Sequence, residues 1–141
     1  MKYKTSELNG AMLDAAVAKA EGFRFTVAPR LNIQVEGEQI TADICRVDNG
    51  PSIFMVGFFP SSDWAHGGQI IEREGIAVEP NDDFCDVARA DKTGSGTAWH
   101  SYFVHDARPD GCQRSFAVGP TPLTAAMRGF VAGKMGEEVD L

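Results

Sequence analysis

Ile53-Phe54-Met55-Val56-Gly57-Phe58-Phe59-Pro60-Ser61-Ser62-Asp63-Trp64-Ala65-His66-Gly67-Gly68-Gln69-Ile70-Ile71-Glu72-Arg73-Glu74-Gly75 changes its hydrophobic period halfway along. Ile53 to Phe59 is apolar on both faces, the pattern of a central strand covered on both sides. Pro60 ends that strand, and Ser61-Ser62-Asp63-Trp64-Ala65 opens a helix running through Ile70, Ile71 and Glu74 to Gly75. Gly67 and Gly68 are poor helix formers, so the first part of this segment reads as a loop turning into a helix.

Upstream, Asn9 suits a helix N-cap, Met12, Leu13, Ala16, Val17 and Ala20 form an apolar stripe, and Gly22 is a stop. Thr5 and Ser6 offer an alternative cap for an earlier single turn. Phe23, Phe25 and Val27 alternate with Arg24 and Thr26, predicting a strand over 23–28. Residues 30–47 read as a β-hairpin: Leu31, Ile33 and Val35 alternate, Glu36-Gly37-Glu38 turns, and Ile40, Ala42 and Ile44 resume. Asn49-Gly50-Pro51 is a second turn signal.

Downstream, Ile76–Val78 and Trp99–Val104 are predicted strands, and Asp106–Gly111 a loop. The last helix has the clearest start, with Thr121 as N-cap and Pro122 at N1, where a missing N–H costs nothing. Leu123, Ala126, Met127, Phe130 and Val131 make its stripe, and Gly136 stops it. The whole predicts one domain over residues 1–141: an α+β sandwich of a mostly antiparallel sheet with about three helices.

At 141 residues the chain suits a single core. Thirteen basic against twenty acidic residues give a net charge of −7, which disfavours coating nucleic acid or an anionic membrane. The longest apolar run is far below the roughly 20 residues of a membrane span, and MKYKTSELNG lacks the apolar core of a signal peptide. Cys45, Cys85 and Cys112 are odd in number and widely spaced, as in a reducing compartment. A cytoplasmic protein is therefore expected.

Three segments resemble the NinX-like proteins of tailed bacteriophages: MKYKTSELNGAMLDAAVAKAEG, PSSDWAHGGQIIEREGI and GPTPLTAAMRGFVAGKMGEEV. The Ser-Asp-Trp-x-x-Gly-Gly and Thr-Pro-Leu-x-Ala-Ala-Met-Arg pieces carry most of the likeness. Gln69 stands where the family pattern has proline, and residues 79–116 carry less of the likeness. The resemblance implies a phage origin, action in the host cytoplasm and an α–β–α sandwich. It implies no reaction.

The segment from Ser61 to Gly68 is the best candidate site. A strand-to-helix junction points backbone N–H groups outward, and hydroxyls with glycines admit a phosphate. Ser61, Ser62, Gly67 and Gly68 would hold the phosphate, Trp64 would stack on a base, Asp63 would bond a ribose hydroxyl or exocyclic amine, and His66 would supply a polar contact. The competing reading makes Ser61 or Ser62 a cap, Trp64 a core residue and the glycines a turn. Thr121 marks a second helix start able to take an anion, with Arg128 two turns further on. His100, His105, Cys85 and Cys112 lack zinc-ligand spacing, and no Gly-x-Ser-x-Gly elbow occurs. Ser95 falls in a predicted turn, and Glu72, Glu74, Asp82, Asp83 and Asp86 suit a solvated face.

These features favour a non-catalytic binder of a small nucleotide-like ligand, such as a host antiviral signal, with no cofactor and no metal. A homo-oligomer would let two helix starts share one ligand across a symmetry axis. The acidic surface supports an alternative: a module that binds and redirects a host protein. A small enzyme acting on a nucleotide is the third class.

Overall fold

The computed structural model describes residues 1–35, 38–48, 56–80, 99–108 and 111–141. In chain order these form β1 (Lys2–Lys4), a 3-10 turn (Thr5–Glu7), α1 (Gly10–Ala20), β2 (Arg24–Val35), β3 (Glu38–Asp48) and β4 (Val56–Gly57). There follow α2 (Trp64–Glu74), β5 (Ala77–Pro80), β6 (Trp99–Arg108), β7 (Gly111–Gly119), α3 (Pro122–Met135) and β8 (Glu138–Asp140). The α+β class and the antiparallel pairing stand, while the strands divide among three small sheets. The Asn49-Gly50-Pro51 turn, the Glu36-Gly37 tip, Ile53–Met55 and the stretch holding Asp82, Asp83, Cys85, Asp86 and Ser95 lie outside the described residues.

Helix ends follow local chemistry. Thr121 Oγ1 accepts the Thr124 N–H at 3.1 Å, and Pro122 occupies the first helical position of α3. Gly22, Gly75 and Gly136 all take positive φ just beyond the three helices. Asn9 precedes α1 without a side-chain cap bond.

The alternation over 23–47 resolves into one long hairpin. β2 and β3 pair from Arg24↔Asp48 to Val35↔Glu38, with a register shift between Arg30 and Ile33. The expected central strand is a correction: β4 pairs with β3 alone among the described residues, at the edge of the order β2-β3-β4. The apolar residues after it leave the ladder and pack sideways. Phe58 stays near through a 3.0 Å bond from its N–H to the Cys45 carbonyl, and meets Phe23 edge-on at 5.9 Å.

β5, β6 and β7 form a second antiparallel sheet, with Trp99↔Gly119 and Tyr102↔Phe116 in register. The chain ends make a third, in which Lys2 and Lys4 oppose Asp140 and Glu138. Opposite charges paired across the strands suit the two ends to each other. The Thr5 hydroxyl donates to the Gly136 carbonyl at 2.8 Å and anchors this ribbon.

The core lies on both sides of a central helix pair. Ala15 and Ala18 of α1 pack on Cys45 and Val47 of β3. Leu13, Ala16 and Val17 join Met127, Phe130 and Val131 of α3 together with Phe103 of β6. Alanine on several faces lets α1 be covered from two directions. A side chain at Gly129 would put its Cβ 2.5 Å from Ser101 Oγ, so α3 lies very close to β6. The Ser101 hydroxyl, fully buried there, donates to the Ala125 carbonyl at 2.6 Å.

Candidate functional site

α2 begins with a sharp turn in which the Phe59 carbonyl accepts from Ser62 N–H at 3.1 Å and Asp63 N–H at 2.7 Å. Asp63 then caps the helix, its Oδ1 accepting the Ala65 N–H at 2.8 Å. The Asp63 carbonyl accepts from His66 and Gly67. The expected loop at Gly67-Gly68 is another correction, because both glycines lie inside α2. A Cβ on Gly67 would stand 2.2 Å from the Pro60 carbonyl oxygen and 2.7 Å from Leu123 Cδ2. Gly67 lets α2 close on α3, and the cost in helix propensity is the consequence.

This close approach gathers the starts of the three helices among the described residues. Gly10 of α1, Ser61, Ser62 and Trp64 at α2, and Thr121 to Thr124 at α3 line one depression of about 540 Å³. Trp64 is 58% exposed at its rim. Among the described residues no hydrogen bond takes the N–H of Trp64 or of Leu123, the first amides after each cap. Each helix start adds a partial positive charge of roughly half a unit, screened at the surface. The depression therefore offers anions two amides and an aromatic face.

Asp14, a turn into α1, lies beneath it. Its Oδ1 accepts the Ser61 N–H at 2.8 Å and so joins α1 to the start of α2. Burial pushes its carboxyl up to about 6, against the opposing pull of the Ser61 side-chain and backbone bonds and of His66. Asp14 was not among the sequence candidates. Its signal was an acid set between Leu13 and Ala15 in the apolar stretch Ala11–Ala18.

The remaining candidates take other places. His66 Nδ1 accepts the Phe59 N–H at 3.0 Å, and its ring stacks at 5.7 Å on Phe58 and 6.1 Å on Phe59. Gly67 is buried under the depression, and Gly68 faces Trp64. Arg128 faces elsewhere: its Nε donates to the Leu8 carbonyl at 2.8 Å and its Nη1 to the Val118 carbonyl at 2.9 Å. It lines a separate cavity of about 490 Å³. Ser61, Ser62, Trp64 and Thr121 are thus brought together, and Arg128 is not. Among the described residues no three His, Cys, Asp or Glu side chains gather as a metal set. No helix there is long and apolar enough to cross a membrane.

The fold and the depression define a small α+β protein in which helix N-termini converge. The chain belongs to the bacteriophage P22 NinX family, whose model matches residues 4–134. No curated protein matches it.

Proposed function

We propose that this phage protein is a non-catalytic binder that sequesters a small nucleotide-derived ligand, such as a host antiviral signal, in the infected cell's cytoplasm. The observation that carries the reading is the meeting of three helix starts beside the exposed Trp64. The base stacks on the indole, and the phosphate meets the Trp64 and Leu123 amides and the Ser62 hydroxyl. Thr121 acts through its cap, since its hydroxyl is engaged with Thr124 at 2.9 Å.

Helix-end contacts contribute about 0.3–1 kcal/mol each at exposed sites. Micromolar binding needs about 8 kcal/mol, so stacking must supply a large share, at about 1–3 kcal/mol per base. Sequestration also explains why the lining is hydroxyl and apolar, with His66 turned into the Phe59 amide. A dimer would bring two depressions to one multiply charged ligand.

The test is calorimetry against linear and cyclic nucleotides, with chromatography of the recovered ligand. Trp64→Ala should weaken binding at least about fivefold, and more than Thr121→Ala does. No binding across the panel refutes the reading, and a chemically altered ligand replaces it with an enzyme. A second reading, a module that docks on a host protein, has its own observation. Tyr102, Val104, Phe116 and Val118 share the outer face of β6 and β7, where Phe116 is 70% exposed.

A further inference from the structure

Two exposed arginines are ion-paired, while the buried Arg128 is not. Arg24 and Arg73 are exposed, and each meets a carboxylate: Arg24 with Asp48, and Arg73 with Glu21 at 2.5 Å and Glu74 at 3.1 Å. Arg128 is only 6% exposed, yet among the described residues it forms no ion pair. A guanidinium does not give up its proton inside a protein, so this charge is held without a counter-charge among the described residues. A buried charge without a partner of opposite sign is costly, because burial removes its hydration. Two backbone carbonyls, of Leu8 and Val118, accept from its Nε and Nη1. Among the described residues no bond engages Nη2, and every fully buried side-chain nitrogen has a partner. Nη2 is therefore open to solvent.

The space it can open onto is the cavity of about 490 Å³ between β7 and the β1–β8 ribbon. Its apolar walls come from Phe116, Ala117, Val118 and Ala132. Lys4 and Ser6 stand at the β1 side, while Glu137 and Glu138 face them from the other strand. The Thr5 hydroxyl is already committed to Gly136. Lys4 is already paired with Glu7 at 3.5 Å, so Glu137 and Glu138 at the rim disfavour a polyanion. A single negative charge placed against the guanidinium removes the interior imbalance, and the volume suits a small organic molecule.

We propose that this cavity binds a small monoanionic carboxylate with a flat apolar body. The carboxylate meets the Arg128 guanidinium and the body lies against Phe116. The cavity shares no lining residue with the depression at the helix starts, so the proposal stands apart from nucleotide binding there.

The probes are benzoate, its neutral isostere benzamide and the dianion phthalate, titrated into the protein while backbone amide resonances are followed. Benzoate should shift residues 4–6, 116–118 and 137–138 saturably. Benzamide and phthalate should each bind at least about tenfold more weakly, as loss of a charge-assisted bond or a second charge beside Glu137 and Glu138 requires. Phe116→Ala should weaken benzoate at least about fivefold while the protein stays folded, since the ring is 70% exposed and its main ring contact is Tyr102 at 4.8 Å. Trp64→Ala should leave benzoate affinity unchanged. Arg128→Lys tests the charge geometry but also removes bonds to Leu8 and Val118, so Phe116→Ala and benzamide keep the test independent of folding. Absence of a saturable shift at these residues overturns the proposal. So does equal binding of benzamide, or full affinity in Phe116→Ala.

Discussion

Gly67→Ala and Gly68→Ala are adjacent substitutions in one helix, yet the structure gives them opposite signs. In an exposed helix each would gain up to about 1 kcal/mol from the better propensity of alanine. At Gly68 the new methyl would lie 3.6 Å from Trp64 Cε3, an ordinary contact, so most of that gain should appear. At Gly67 it would stand 2.2 Å from the Pro60 carbonyl oxygen, a backbone atom in a fully buried residue. Relief requires α2 to move off Pro60 and Leu123. Overpacking of this kind costs about 1–3 kcal/mol, and the Pro60 backbone leaves the upper end the better guide. The two variants should then differ by about 3 kcal/mol, with Gly67→Ala the less stable. For a chain of this length that is on the order of 10 °C in melting temperature, measured by calorimetry on both variants. Because Gly67 underlies the depression, its substitution should also weaken ligand capture, and Gly68→Ala should not. Equal melting temperatures, or a stabilised Gly67→Ala, would refute the close approach of α2 and α3.

Asp14→Asn should flatten the pH dependence of stability. Burial raises the folded carboxyl from 3.8 to about 6, so its contribution is fully present below pH 4 and is lost as pH rises through about 6. At about 1.4 kcal/mol per pH unit, the loss is about 3 kcal/mol. Asparagine keeps an acceptor for the Ser61 N–H without the charge; urea unfolding at pH 4.5 and pH 7.5 reads the difference, and an unchanged slope contradicts the assignment. Phe130→Ala should cost about 3–5 kcal/mol, because the ring is fully buried against Phe103 at 6.0 Å. Unchanged thermal stability there would mean that α3 is not docked on β6.

What the sequence determined by itself were the signals that act within a few residues. Thr121-Pro122 set the start of α3, glycines set the helix ends, and alternation set the β2–β3 hairpin, because a cap bond or a pleat is complete within its own segment. Trp64 was legible as a candidate for the same reason: it follows an apolar run and a breaker. Burial and partners were decided by the tertiary structure. Lys2–Lys4 finds Glu138–Asp140 at the far end of the chain, and nothing local in either triplet specifies that pairing. Gly67 reads as a helix breaker until the Pro60 carbonyl and Leu123 fill the space where its side chain would be. Arg128 sits two turns beyond Thr121 and looks aimed at the same ligand, but the position of Leu8 and Val118 turns it toward another cavity. Residue type fixes what a side chain can do, while its exposure and charge partners depend on elements packed from distant parts of the chain.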